Sequence, residues 1–212
     1  MIIAVDGPAA SGKGTLAAGL GRHYRLPVLD TGLLYRAVGR EVEHYENSPD
    51  FEQRAIAAAL TLDANDIEPA FLGTQRAGVL ASKVAVVAGV RQALRQFQQD
   101  FAAQDGGAVL DGRDIGTVVC PHAEVKLFIV ADSRSRAERR AKQFEARGQA
   151  VDRDALQTQI EERDARDRGN PHGGFYRAAD AHLLDTTQLD IEAALRAAVA
   201  IVDEVMARKA RG

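Results

Sequence analysis

An apolar, β-branched run, Ile2-Ile3-Ala4-Val5, leads into Gly7-Pro8-Ala9-Ala10-Ser11-Gly12-Lys13-Gly14-Thr15, after which Leu16, Ala17 and Leu20 recur at helical spacing. No other stretch constrains the fold as strongly. A strand that feeds a helix through a glycine-rich turn gathers successive backbone N–H groups and a helix N-terminus around one point. That point suits a nucleotide polyphosphate, because glycines let the backbone approach and the helix end adds positive potential. Lys13 then reaches the β- and γ-phosphates. A turn that merely joined strand to helix would leave the spacing from Gly7 to Gly12-Lys13 unexplained. Gly14 stands where many such loops carry Ser or Thr, and Thr15 comes next. A direct hydroxyl ligand to Mg²⁺ is therefore missing at that place; phosphate oxygens and water are expected to hold the ion. Thr15 can still donate to a phosphate.

The rest of the chain repeats the alternation. Strands are expected over 26–29, 108–111, 125–130 and 182–184. Helices are expected over 13–24, over 31–45 with Thr31 as N-cap, through most of 51–103, over 133–168 with a break near Gly148, and over 191–207. Asn47-Ser48-Pro49 ends the second helix, and 63–73 reads as a loop. Strands alternating with helices predict a parallel sheet covered on both faces, an α/β fold. With 212 residues, 46% of them hydrophobic, the chain can bury one substantial core.

Charge narrows the partners. Lys and Arg number 27 against 30 Asp and Glu, a net charge of −3, which argues against a polybasic binder of nucleic acid or membrane but permits a local cationic cleft. Cys120 is the single cysteine, so neither a disulfide framework nor a cysteine metal cluster is expected and a reducing cytosol fits. No apolar run approaches the roughly 18 residues of a membrane span. The N-terminal apolar run stops at Asp6 and lacks the basic start of a signal peptide, so a cytoplasmic location is expected.

Two further turns follow predicted strands: Asp30-Thr31-Gly32-Leu33-Leu34-Tyr35-Arg36 and Asp111-Gly112-Arg113-Asp114-Ile115-Gly116-Thr117. Ligands of open α/β sheets gather beyond the carboxyl ends of strands, so both turns should face the phosphate loop. Together with the glycine-rich loop and Glu162-Arg163-Asp164-Ala165-Arg166-Asp167-Arg168, these motifs resemble the bacterial cytidylate kinase family over nearly the whole chain.

The resemblance implies a P-loop NTPase fold of the nucleoside monophosphate kinases. One kinase domain is expected, with a core of about 1–36, 105–132 and 178–212, a reduced monophosphate-binding insertion over about 37–104 and an ATP lid over about 133–177. It implies ATP-dependent phosphorylation of CMP and dCMP, with Mg²⁺ and a monomeric enzyme. Gly7 through Thr15 would bind ATP. Thr31, Arg91, Arg113 and Asp114 would surround cytosine, Arg36 and Arg113 would hold its monophosphate, and Arg163 and Asp167 would match the ribose-binding pair. A carboxylate beside a guanidinium complements the amine donor and ring acceptors of cytosine. Lys13, Arg113, Arg139 and Arg140 are the expected catalytic cations; no residue is a direct metal ligand, although Asp111 can reach Mg²⁺ through water.

Plainer roles stay open for several of these residues. Thr31 can serve only as a helix cap, Arg113 and Asp114 as a local ion pair, and Arg91 as a solvated helix residue. Most charges between 134 and 168 suit solvated helix faces, and His172 beside Pro171 and Gly173 is given no chemistry. The chain departs from the family at Asn170, where an Arg is common, with Arg177 as a substitute from the same loop. The stretch 63–73 is also short, with Gly73 where an Arg is often found. Other acceptors, such as UMP or a small metabolite, and a nucleotide-binding switch remain as alternatives. An Asn-Lys-x-Asp guanine-reading motif is absent, which weighs against a GTPase.

Overall fold

The computed structural model describes residues 1–63, 67, 74–146, 148–169 and 175–211. Five parallel strands make one sheet in the order β2-β3-β1-β4-β5, formed by β1 (Ile2–Asp6), β2 (Val28–Asp30), β3 (Ala108–Gly112), β4 (Val125–Val130) and β5 (His182–Asp185). Among the described residues the helices are α1 (Lys13–Tyr24), α2 (Thr31–Glu41), α3 (Phe51–Leu60), α4 (Gln75–Val84), α5 (Ala88–Ala102), α6 (Ser133–Glu145), α7 (Arg153–Arg168) and α8 (Ile191–Lys209).

The strands read as continuous apolar runs because both of their faces are covered. Ile3, Val5, Val109, Leu127 and Ile129 point to one side and pack with Leu16 and Leu20 of α1 and Ala198 and Val202 of α8. Ala4, Leu29 and Leu110 point to the other side, against Leu34 and Val38 of α2, Ala55 of α3, and Val90 and Leu94 of α5. The pairings set Val5 beside Asp111 and Asp30 beside Asp111, so the acidic ends of β1, β2 and β3 share one edge of the sheet. Helices α6 and α7 pack on each other through a separate apolar cluster of Ala137, Ala141, Phe144, Leu156 and Ile160.

The expected α/β alternation is present, and Gly148, at φ 74°, lies between α6 and α7 as the predicted break. Several boundaries shift by one or two residues, as at β2, expected over 26–29 and found at Val28–Asp30, and two larger differences concern α2. Helix α2 ends at Glu41 and gives way to a 3₁₀ turn, Glu43–Tyr45, instead of continuing. The cap of α2 is Asp30, not Thr31: the Asp30 carboxylate accepts from Gly32 N at 2.9 Å, while Thr31 Oγ1 donates to the Asp111 carbonyl at 2.8 Å. Asp one position earlier reaches the second helical N–H, which frees the threonine hydroxyl to tie α2 to β3. The predicted loop 63–73 falls outside the described residues except at 63 and 67. Among the described residues no single helix is long and apolar enough to cross a membrane.

Helices α2 and α4 touch at Gly39, where a Cβ would stand 2.8 Å from Leu80 Cβ and 2.9 Å from its carbonyl carbon. Backbone cannot move aside cheaply, so overpacking outweighs any gain in helix propensity. Gly39→Val is expected to destabilise the fold by about 2–3 kcal/mol. Urea unfolding measures this as a lower midpoint at unchanged slope.

Candidate active site

Beyond the acidic edge of the sheet opens a cavity of about 500 Å³, floored by the loop after β1 and walled by α2, α4, α5 and the α6–α7 pair. The floor depends on two glycines. At Gly7 a Cβ would meet the Ile129 carbonyl oxygen at 2.2 Å, so the loop can leave β1 only without a side chain there. Gly12 adopts φ 91° at the N-cap of α1, a left-handed conformation that glycine accepts without strain.

The loop is fastened from outside through its carbonyls. Arg136 Nη1 donates to Ala9 O at 3.2 Å, Arg139 Nη1 to Ser11 O at 3.1 Å, and Thr186 Oγ1 to Ser11 O at 2.9 Å. Arg136 also donates to Ala131 O at 3.0 Å and forms a buried ion pair with Asp164 Oδ2 at 2.6 Å. One guanidinium thus joins the phosphate loop, the end of β4 and helix α7.

Lys13 opens α1, and its ammonium lies 2.9 Å from Asp111 Oδ1. Burial raises the pKa of the Asp111 carboxyl and the nearby Lys13 charge opposes that rise. A Cβ on Gly14 would stand 3.1 Å from Asp111 Oδ2, so the carboxylate crowds the place where related loops carry a hydroxyl. This arrangement suits Mg²⁺, which favours oxygen donors and keeps much of its water. Among the described residues no group of three or more His, Cys, Asp or Glu could hold a metal ion. A single buried carboxylate beside Lys13 fits an ion that a bound polyphosphate would largely carry itself.

Across the cavity, Arg91 of α5 and Asp114 are paired and buried, and the Arg91 guanidinium lies 6.0 Å from the Tyr35 ring centroid. Arg113 Nε donates to Asp167 Oδ2 at 3.0 Å, and Arg36 Nη1 to Thr74 O at 3.2 Å. Burial lowers the pKa of Arg36, with Asp30 opposing and Arg113 adding to the fall. Burial, followed by the Arg113 charge, pushes the Arg163 guanidinium down to about 10; Asp167 opposes this, while Arg36 and Arg140 reinforce it. Arg163 remains cationic at neutral pH, and its buried Nε makes no hydrogen bond among the described residues. Cations held this close favour an anion between them.

Of the residues expected from sequence, Lys13, Thr31, Arg36, Arg91, Arg113, Asp114, Arg140, Arg163 and Asp167 all line this one cavity, as do Ala9, Ala10 and Asp111. Arg139 does not: it is spent on Ser11 O and on Thr186, on the outer side of the loop. Arg139 and Arg140 are adjacent on a helix, so they point some 100° apart and only one can face the cavity. Arg177 is exposed and does not line the cavity, and Asn170 lies outside the described residues.

Sequence reading missed Arg136, which nothing in a charged helical run distinguishes from its neighbours. It also passed over Tyr35, Ser82 and Arg166, which line the cavity, and Asp6 below it. Asp6 did carry a signal, since a carboxylate ending a buried strand must find donors. A shallower cleft, about 390 Å³, lies on the outer side of the loop between Arg134, Arg139, Lys142, Thr187 and Gln188.

The family model described as cytidylate kinase matches residues 3–204. A cytidylate kinase of Bradyrhizobium diazoefficiens is 50% identical over 212 residues, covering 100% of both chains. One from Nitrobacter winogradskyi is 51% identical over 211 residues, again covering 100% of each, and one from Xanthobacter autotrophicus is 52% identical over 203 residues, 96% of this chain and 97% of that one. Among solved structures, an uncharacterized protein from Eubacterium ventriosum shares the fold with a TM-score of 0.55 at 14% identity, over 96% of this chain and 98% of that one.

The Arg136–Asp164 pair generates a stability prediction. Asp164→Ala leaves a buried guanidinium without its counter-charge, a loss of about 3–5 kcal/mol. Arg136→Met added to that variant should recover part of the loss. A double-mutant cycle by chemical unfolding separates this outcome from simple additivity.

Proposed function

The chain belongs to the cytidylate kinase family, and from that premise we propose how its own residues carry ATP-dependent phosphorylation of CMP and dCMP. The observation that carries the reading is the single cavity that joins Lys13 and the glycine-rich loop to a cluster of arginines and a buried Arg91–Asp114 pair. The loop takes the ATP phosphates. Arg36, Arg113 and Arg163 take the acceptor monophosphate and its sugar. Thr31, Arg91, Arg113 and Asp114 read the cytosine edge, where guanidinium donors and carboxylate acceptors complement its ring acceptors and amine.

The acceptor oxygen is already anionic, so transfer needs no strong general base. Catalysis rests on holding that oxygen in line with the γ-phosphorus and on neutralising the charge of the transferring group by Lys13, Arg113 and Arg140. Asp111 would hold a hydrated Mg²⁺ through water, and the ion would add further charge neutralisation. Arg139 acts from behind, as a fastening of the loop. The adenosine of ATP extends away from the acceptor into the outer cleft beside Arg134, Arg139 and Gln188, since the cavity side is taken by CMP. The region over 37–104 forms the acceptor wall. The α6–α7 pair is the lid; its separate apolar core lets it close as a unit, excluding water that would otherwise hydrolyse ATP. The lone buried Cys120 suits a reducing cytoplasm.

An acceptor panel with product identification tests the reading: CMP and dCMP should be phosphorylated well ahead of UMP, AMP and shikimate. ATP hydrolysis without a phosphorylated acceptor would overturn it. Lys13→Ala should lower kcat by about 10²–10³ with the fold intact by circular dichroism. Asp114→Ala leaves Arg91 buried and unpaired, a loss of about 1–3 kcal/mol that should fall on kcat/KM for CMP more than for UMP and spare ATP. Equal losses for the two pyrimidine nucleotides would remove Asp114 from base reading.

A further inference from the structure

Asp6 ends the central strand directly before the phosphate loop and is 5% exposed. Its carboxylate is bidentate: Oδ1 accepts from Ile115 N and Oδ2 from Gly116 N, each at 2.8 Å. Those two N–H groups open a turn of π-helix, Ile115–Val119, a rare conformation that recurs at functional sites. Immediately before the turn stands Asp114, whose carbonyl accepts from Val118 N at 2.8 Å and Val119 N at 3.1 Å, and whose carboxylate pairs with Arg91. The other side of the turn is closed by β4, since a Cβ on Gly116 would lie 3.1 Å from Lys126 Cδ.

We propose that Asp6 is a positioning residue for the acceptor base: its ionised carboxylate holds the first two N–H groups of the turn and so sets Asp114 against the base edge. The proposal rests on the assignment of Asp114 to cytosine given above. Both N–H bonds require an unprotonated oxygen, because a carboxylic acid presents a hydroxyl in place of one acceptor. Protonating Asp6 would therefore release one end of the turn.

The charged and titratable groups around Asp6 come from each element packed on it. Asp111 from β3 and Asp114 from the turn add negative charge. Cys120 follows the turn, and its thiol is pushed up to about 11 by burial and by Asp6 itself. Lys126 from β4 passes by with its aliphatic stem, while its ammonium is engaged by Pro121 O and Asp180. Burial raises the Asp6 pKa to about 7, the two backbone donors lower it, and Asp114 and Asp111 add to the rise. Raised from 3.8, such a group lends stability at acid pH that is lost as pH rises through about 7. Binding runs the opposite way. The ionised form that destabilises the fold is the form that secures the turn, so acceptor binding should strengthen across the same interval.

The test compares KM for CMP and for ATP in wild type and Asp6→Asn from pH 5.5 to 9. The CMP phosphate titrates alike in both proteins, so the difference between the two profiles isolates Asp6. Asparagine offers one acceptor, and the variant is expected to show a CMP KM about tenfold higher at pH 8, converging on wild type at low pH, with the ATP KM within twofold throughout. Parallel profiles for the two proteins, or equal losses for both substrates, would overturn the proposal.

Should Asp6→Asn not fold, the wild type still decides. With ¹³C-carboxyl-labelled aspartate and sequential assignment, saturating CMP should lower the midpoint of the Asp6 titration, because linkage is reciprocal. An unchanged or raised midpoint would overturn the role. A wild type that phosphorylates no CMP would instead sink the functional reading, a separate outcome.

Discussion

Charge buried at the carboxyl edge of an apolar sheet is the constraint that the site is built around. Asp6 and Asp111 are buried near the ends of β1 and β3, where each costs free energy unless it finds donors or a counter-charge, and Asp30, exposed at the end of β2, pairs beside Asp111. Each finds a different solution. Asp30 caps α2, Asp6 takes two backbone N–H groups, and Asp111 takes the ammonium of Lys13. The solutions are also the connections of the molecule. They fix the start of α2, the turn that carries Asp114, and the first residue of α1, so the floor of the cavity follows from where three carboxylates are placed.

The opposite wall reverses the sign. The Arg113 charge adds to the lowering at both Arg36 and Arg163, while Asp30 opposes it at the first and Asp167 at the second. Such a cluster is costly without an anion, and under the proposed function the acceptor phosphate would relieve it. Acidic floor and basic wall face each other across the cavity, so a chain of net charge −3 still offers a cationic surface there. The local field, not the overall charge, does the selecting.

Much of this was legible in the sequence because motif and position coincide. A glycine-rich loop between an apolar strand and a helix admits few geometries, and the residues of Asp111 to Thr117 follow a strand whose end must meet that loop. Nine side chains named from sequence do line one cavity. The sequence could not decide where helical phase or a single hydrogen bond settles a side chain's place. Arg139 and Arg140 are equal in a charged run, and only the rotation of α6 separates the loop fastener from the cavity residue. Thr31 and Asp30 are both good caps, and the choice fell to Asp30 because Asp111 O needed the threonine hydroxyl. Arg136 gave no signal at all, since its role depends on Ala9 and Asp164, 127 and 28 residues away.

The parallel pairing of β1 with β3 has a consequence for how such enzymes diversify. The glycine-rich loop hangs from β1 and the turn that carries Asp114 from β3, so their separation is set by the spacing of hydrogen-bonded strands, roughly 4.8 Å. Neither can shift without breaking a ladder whose every rung is shared. Under the proposed function, a new acceptor preference would therefore come from exchanging side chains that line the cavity, while the strand ladder keeps the backbone distance between loop and turn fixed.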